Sequence, residues 1–300
     1  LFIVLVFTAS ALGIYQGLGL LFWLATPLVM VCLGVLIQYG LEHGDMVRTG
    51  QFLFSFSAYD FTAEAVLVAM GQAFYTLGIG VGVGVAFGSY APDKLPIGRT
   101  VIAVAVLDTL FALAAGLAIY PIVFATNMEL SMGPGLLFVG LPYAFGNMVQ
   151  GELFGAIFFL LVLVIAVGSA VALAEPIVAY LVERRRLRRP LAALLCGAVI
   201  WVLSLGCALS FNVWQDVHWY GDYTFFELLD ALTVLVLLPL VCLLTALLVG
   251  FAYPPSVLRV QLHRESPYFF LLWRVCIRYI APAVIVLLVA ASFLLPIPGS

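Results

Sequence analysis

Asp108 lies in the run VAVLDTLFAL, nine residues past Arg99, which at 1.5 Å per residue puts its carboxylate roughly 14 Å along an apolar helix. An acid at that depth costs about 2.5 to 3.5 kcal/mol on insertion scales, so it must meet a cavity, a cation or a partner rather than lipid. Ser169, in AVGSAVALAEP, sits among small residues that leave backbone carbonyls reachable. A hydroxyl with carbonyls suits a hard monovalent cation, although a lone Ser in such a helix commonly bonds back to its own chain. Glu175 precedes Pro176, placing a second charge beside a kink, and Glu183 follows near the surface. Glu227 and Asp230, three positions apart, share one helical side as solvated acids or as half of an ionic gate. Arg274 and Arg278 are expected to snorkel to the surface. His43, His218 and His263 fall outside span centres, and no nucleophile shares a helix face with a base at depth, so an intramembrane enzyme is disfavoured. The chemistry on offer is ion coordination and charge pairing.

These residues are organised around Glu64 to Tyr90, reading EAVLVAMGQAFYTLGIGVGVGVAFGSY. The stretch is long enough to cross a bilayer, yet carries Gly78, Gly80, Gly82, Gly84 and Gly88 together with Gln72 and Thr76. Each unpaired backbone group in hydrocarbon costs several kcal/mol, so a span unwinds only where protein, ion or substrate takes up the freed groups. The reading is a broken helix whose half-helix ends face each other at the midplane. The alternative is a small-xxx-small ridge at Gly80, Gly84 and Gly88 that lets a neighbour approach closely.

The elements that position these groups follow from composition. Of 300 residues 65% are hydrophobic and 9% charged, which describes an all-α polytopic membrane protein rather than a soluble globule. Apolar runs at about 1–19, 21–40, 64–91 (broken), 99–121, 152–182, 191–211, 225–253 and 268–295 each reach the length of about 20 residues that a span needs. Lys94 and Arg99, the run from Arg184 to Arg189, and Arg259 with Arg264 fall on one side of an eight-span layout. That makes the loops after residues 91, 183 and 254 cytoplasmic. The opposite loops carry Glu42, Asp45, Asp60, Glu129, Asp216 and Asp222, with Arg48 as their basic residue. MGPGLLFVGLPYAFGNM, within the connection from Val123 to Gly151, is expected to fold as short helices over the external mouth, as a lid or as simple packing. Trp214 to Phe226 reads as an interfacial aromatic belt. Cys32, Cys196, Cys207, Cys242 and Cys276 lie unpaired in apolar runs and read as packing residues. The chain opens inside an apolar run, so a segment before Leu1 is expected.

GQAFYTLGIGVG followed by GSY, LDTLFALAAGLAIYP, GPGLLFVGLPYAF and SAVALAEPIVAYLVE, in that order, resemble the neurotransmitter:sodium symporters, and most of all their bacterial amino-acid members. The resemblance implies a leucine-transporter-like inverted-repeat bundle of helices four to eleven, a single domain over 1–300 that lacks helices one to three and holds one of the two broken helices. It implies sodium-coupled symport of an amino acid or related amine into the cell. A scaffold or receptor that has kept the fold without transport is the competing reading.

By the same resemblance, Tyr75, Thr76, Gly78 and Val81 on the broken helix and Ser169 and Leu173 on the later span line the substrate site. One sodium site would use Thr76 and Asp108. The second would use Ser169 and the carbonyl of Ile165, with Gly168 where the family often has a Thr hydroxyl. Asp108 replaces an amide found in some members and position 112 is Ala112, which implies that chloride is not required. Asp230 matches the acid of the outer gate with Gln72 below it, and Glu183 the acid of the inner gate near Tyr90. Membrane lipid and a small-molecule substrate are the expected partners, nucleic acid is not, and a homodimer is left open. The expected location is the cell membrane, inner or plasma.

Overall fold

The computed structural model describes residues 1–55, 61–92, 95–128, 135–221 and 223–294. Asp60, Lys94, Glu129, Asp222, residues 132–134 of the connection expected to be external and residue 295 at the end of the last expected span therefore lie outside the described residues. Among the described residues the chain is helical, apart from one isolated bridge between Tyr220 and Tyr223.

Twelve helices follow in order: α1 (Phe2–Ala11), α2 (Ile14–His43), α3 (Met46–Phe54), α4 (Ala63–Thr76), α5 (Val83–Tyr90), α6 (Ile97–Ala125), α7 (Leu136–Gly146), α8 (Gly151–Arg185), α9 (Arg189–Ser210), α10 (Phe225–Ala252), α11 (Pro255–Gln261) and α12 (267–294). Six of them, α2, α6, α8, α9, α10 and α12, are long and apolar enough to cross a membrane. Proline sits inside five of these, at Pro27, Pro121, Pro176, Pro239 and Pro282. Side-chain caps close several exposed ends: Asp45 accepts from the Arg48 N–H, Thr62 from Ala65 and Ser266 from Phe269. Thr224 and Glu227 form a reciprocal capping box at the start of α10.

The described chain forms two compact units. The first holds Leu1–Ala58 and Val106–Ala172; the second holds Tyr59–Ala105 and Leu173–Ser300. The first unit's core joins Leu33, Leu36 and Tyr39 of α2 to Ile122 of α6, Phe145 of α7 and Phe158 of α8. Tyr39 is 1% exposed, stacks on Phe154 with ring centroids 3.8 Å apart, and donates its hydroxyl to the Val149 carbonyl at 2.7 Å. Leu141, Ala144 and Phe145 of α7 are buried in that core, so this part of the connection between α6 and α8 packs rather than projects.

One expected boundary moves. The first two apolar runs divide at Leu12–Gly13, where Gly13 takes φ +95°, and not at residue 20, which lies within α2. The later glycines serve packing instead: a Cβ on Gly17 would stand 1.9 Å from the Ala9 carbonyl oxygen.

Candidate functional site

The site is built on the break between α4 and α5, both in the second unit. α4 ends at Thr76, α5 begins at Val83, and Gly78, Gly80 and Gly82 between them take φ of +60°, +89° and +85°. These are left-handed conformations that side chains rarely adopt, which is why glycine recurs here. The freed groups are identifiable. Among the described residues, the carbonyls of Thr76 and Leu77 and the N–H groups of Gly80, Gly82, Val83 and Gly84 make no hydrogen bond to another backbone group. A ring of carbonyl oxygens at one helix end and of N–H donors at the other can meet a cation and an anionic group respectively.

The glycines also settle which of them pack tightly. A Cβ on Gly80 would lie 2.6 Å from Cys242 Sγ and 2.9 Å from the Leu238 carbonyl of α10, and one on Gly82 would lie 3.5 Å from Pro176 of α8. Nothing comes within 4 Å of the Cβ positions of Gly84 and Gly88. The close approach expected of a ridge is therefore made by Gly80 alone of the three.

In the second unit, Tyr75 and Thr76 are exposed, Gly78 and Val81 half-buried, and Leu173 of α8 exposed. Thr76 Oγ1 reaches back to the Ala73 carbonyl at 3.5 Å, a long contact. In the first unit, Asp108 and Ile165 are half-buried, Gly168 is buried against Phe22, and Ser169 is exposed. Other hydroxyls in the spans return to their own helices: Ser204 to Ile200 at 2.7 Å, Thr233 to Leu229 at 2.7 Å and Thr26 to Phe22 at 2.8 Å. Ser169 Oγ makes no hydrogen bond among the described residues, contrary to the common behaviour of a lone Ser in a membrane helix. No cluster of three His, Cys, Asp or Glu side chains that could hold a metal occurs among the described residues. The oxygen donors present are hydroxyls, carbonyls and single carboxylates, a set suited to a hard cation.

Three expectations need correction. Tyr90 was expected beside Glu183, but its hydroxyl donates to Glu175 Oε1 at 2.7 Å, while Glu183 is exposed. Glu175 is fully buried and also receives Arg189, whose Nη2 lies 2.8 Å from Oε1 and 2.6 Å from Oε2. A buried carboxylate needs such a partner, and α9, beginning at Arg189 just after α8 ends, can return a cation to the acid 14 residues earlier. Arg189 is thus not only part of a topology signal. Second, Glu227 is occupied by the capping box, accepting from the N–H and hydroxyl of Thr224 at 2.9 Å each, and Asp230 alone of that pair is uncommitted and exposed. Third, Arg278 does not reach the surface as expected: it is half-buried, its guanidinium lies 4.6 Å over Phe251 and 5.5 Å from Tyr279, and its Nε is buried without a hydrogen-bond partner. Gln72, expected below the outer gate, is exposed on α4.

The sequence profile of the sodium:neurotransmitter symporter family matches residues 1–298. The chain belongs to that family. An uncharacterized sodium-dependent transporter of Bacillus subtilis (strain 168), YhdH, is 31% identical over 289 residues, covering 95% of this chain and 64% of that protein. The sodium-dependent nutrient amino acid transporter 1 of Drosophila grimshawi is 31% identical over 160 residues, 46% of this chain and 25% of that protein. Among solved structures, that of MhsT in complex with L-phenylalanine superposes with a TM-score of 0.87 at 33% identity, covering 97% of this chain and 66% of that one. The chain therefore spans about two thirds of the length of YhdH and of MhsT. The fold is that of the leucine-transporter-like symporters, and the chain is a multi-pass membrane protein.

Proposed function

We propose that the protein carries an amino acid or a related amine into the cell, coupled to sodium, by alternating access. The observation that carries this reading is the break at residues 77–82, with unpaired carbonyls at the end of α4 and unpaired N–H groups at the start of α5. The substrate carboxylate would meet these N–H groups and a sodium ion near Thr76. Its side chain would lie against Tyr75, Val81 and Leu173, with Ser169 on the same site. Gly78 and Val81 are small, which leaves room for a large apolar or aromatic side chain. The relative crystallised with L-phenylalanine supports that size class.

Sodium would be held by Thr76 and Asp108 at one position and by Ser169 with the carbonyls of Ile165 and Gly168 at the other. The uncommitted hydroxyl of Ser169 supports a hard monovalent cation. Asp108 supplies the fixed negative charge that makes chloride unnecessary. Asp230, exposed, serves the outer gate with Gln72 beneath it, and Glu183 serves the inner one, while Tyr90 is held by Glu175. The loops after residues 91, 183 and 254 face the cytoplasm across the cell membrane. Competition among amino acids for sodium-driven uptake tests the substrate class: large apolar and aromatic amino acids should compete, and competition by glycine and alanine alone would overturn it.

A further inference from the structure

Four elements of the second unit enclose a cavity of about 250 Å³ away from the break: the first turn of α6, the end of α10, α11 and the start of α12. Its lining is apolar and aromatic, including Val101, Leu258, Leu262, Phe269 and Trp273, with Gln261 as the polar exception. None of these residues is among those assigned to substrate, sodium or gating above.

Glu265, between α11 and α12, is 9% exposed, and its Oε1 has no hydrogen-bond partner. The carboxylate adjoins the cavity at one place, Gly98, which lines it: a Cβ there would come 2.9 Å from Oε1 and 2.9 Å from Phe269 Cε1. Any other residue at 98 would stand between the cavity and the acid. Capping of α6 does not account for the carboxylate, because no N–H of that helix's first turn donates to Oε1. A buried carboxylate oxygen without a donor is costly, and one beside an apolar, aromatic-walled cavity is matched by a cation with an apolar body. At about 250 Å³ the cavity lies just below the usual range for drug-sized ligands, so the body must be small.

We propose that this cavity binds a small amphipathic amine, its ammonium on Glu265 and its alkyl or aromatic body against Phe269 and Trp273. The site is independent of the transport reading and would modulate the carrier from the end of α6 that bears Arg99.

The test uses phenethylammonium on the purified full protein in sodium-free potassium buffer, with 2-phenylethanol and phenylacetate as neutral and anionic counterparts. Binding is read from tryptophan fluorescence and from thermal shift. Phenethylammonium should bind saturably and about tenfold or more tightly than 2-phenylethanol. Glu265→Gln should erase that preference, and Val101→Trp, which fills the cavity, should abolish binding. Thr76→Ala and Asp108→Asn should leave binding unchanged. Unaltered amine preference in Glu265→Gln, no binding at millimolar amine, or loss of binding in Thr76→Ala would each overturn the proposal, the last by placing the amine in the transport site. Should the cavity variants fail to fold, an aryl-azide derivative of the amine should label residues between Leu258 and Trp273 in the wild-type protein. Labelling confined to other helices would overturn the proposal equally.

Discussion

Replacing Arg189 with alanine is the sharpest test of the buried network. Glu175 has no exposed surface and receives two hydrogen bonds from Arg189, at 2.6 and 2.8 Å, and one from Tyr90 at 2.7 Å. Removing the cation leaves a carboxylate inside the protein with a single neutral donor. A buried charge stripped of its partner typically costs about 3 to 5 kcal/mol. Tyr90→Phe removes one hydrogen bond to a charged acceptor and should cost about 1.5 to 3 kcal/mol, because the arginine stays. If the loss in Arg189→Ala comes from the orphaned charge, Glu175→Gln in the same chain should recover a large part of it. The assay is a melting curve of each purified variant in one detergent, completed as a double-mutant cycle. Arg189→Ala should fall by roughly 5 to 15 °C, with the double variant above it. A fall smaller than that of Tyr90→Phe, or no recovery in the double variant, would refute the reasoning.

Gly80→Ala should destabilise the protein by about 1 to 3 kcal/mol and abolish uptake, since the new methyl meets Cys242 Sγ and the residue is held at φ +89°. Gly84→Ala, with open space at its Cβ position, should be tolerated in the same melting and uptake assays. Ser169→Ala should raise the sodium concentration for half-maximal uptake about tenfold while leaving the melting temperature within a degree or two, because its hydroxyl makes no hydrogen bond among the described residues. Replacing external chloride by gluconate should leave uptake unchanged, and a fall to background would remove the role given to Asp108.

The features most legible in the sequence were those set by composition and glycine. The apolar runs marked the long helices, and the glycines from Gly78 to Gly82 marked the break, because only they take its positive φ values without strain. What sequence did not show was pairing. Glu175 and Arg189 are 14 residues apart but on different helices, so the periodicity of one helix does not link them, and the arginine was hidden within a run that reads as a topology signal. The one available sign was Glu175 itself, an acid in an apolar helix that required a cation somewhere. Glu227 was left open between a solvated acid and half of a gate because either can use the same carboxylate; Thr224 three residues before it, a capping-box spacing, was the overlooked signal. The boundary placed at residue 20 failed because Gly13, Gly17 and Gly19 look alike in sequence while only Gly13 turns the chain. Arg278 shows the same limit: its spacing from Arg274 suggested a surface pair, and only the placement of Phe251 reveals the stacked position.

The most direct test of the account is uptake by the full protein in proteoliposomes, with radiolabelled L-phenylalanine outside and either a sodium gradient or an equal potassium gradient. The account predicts saturable accumulation with sodium, background with potassium, and loss of accumulation in Asp108→Ala. Equal uptake under both gradients, or none by folded wild-type protein for any amino acid or amine offered, would contradict it.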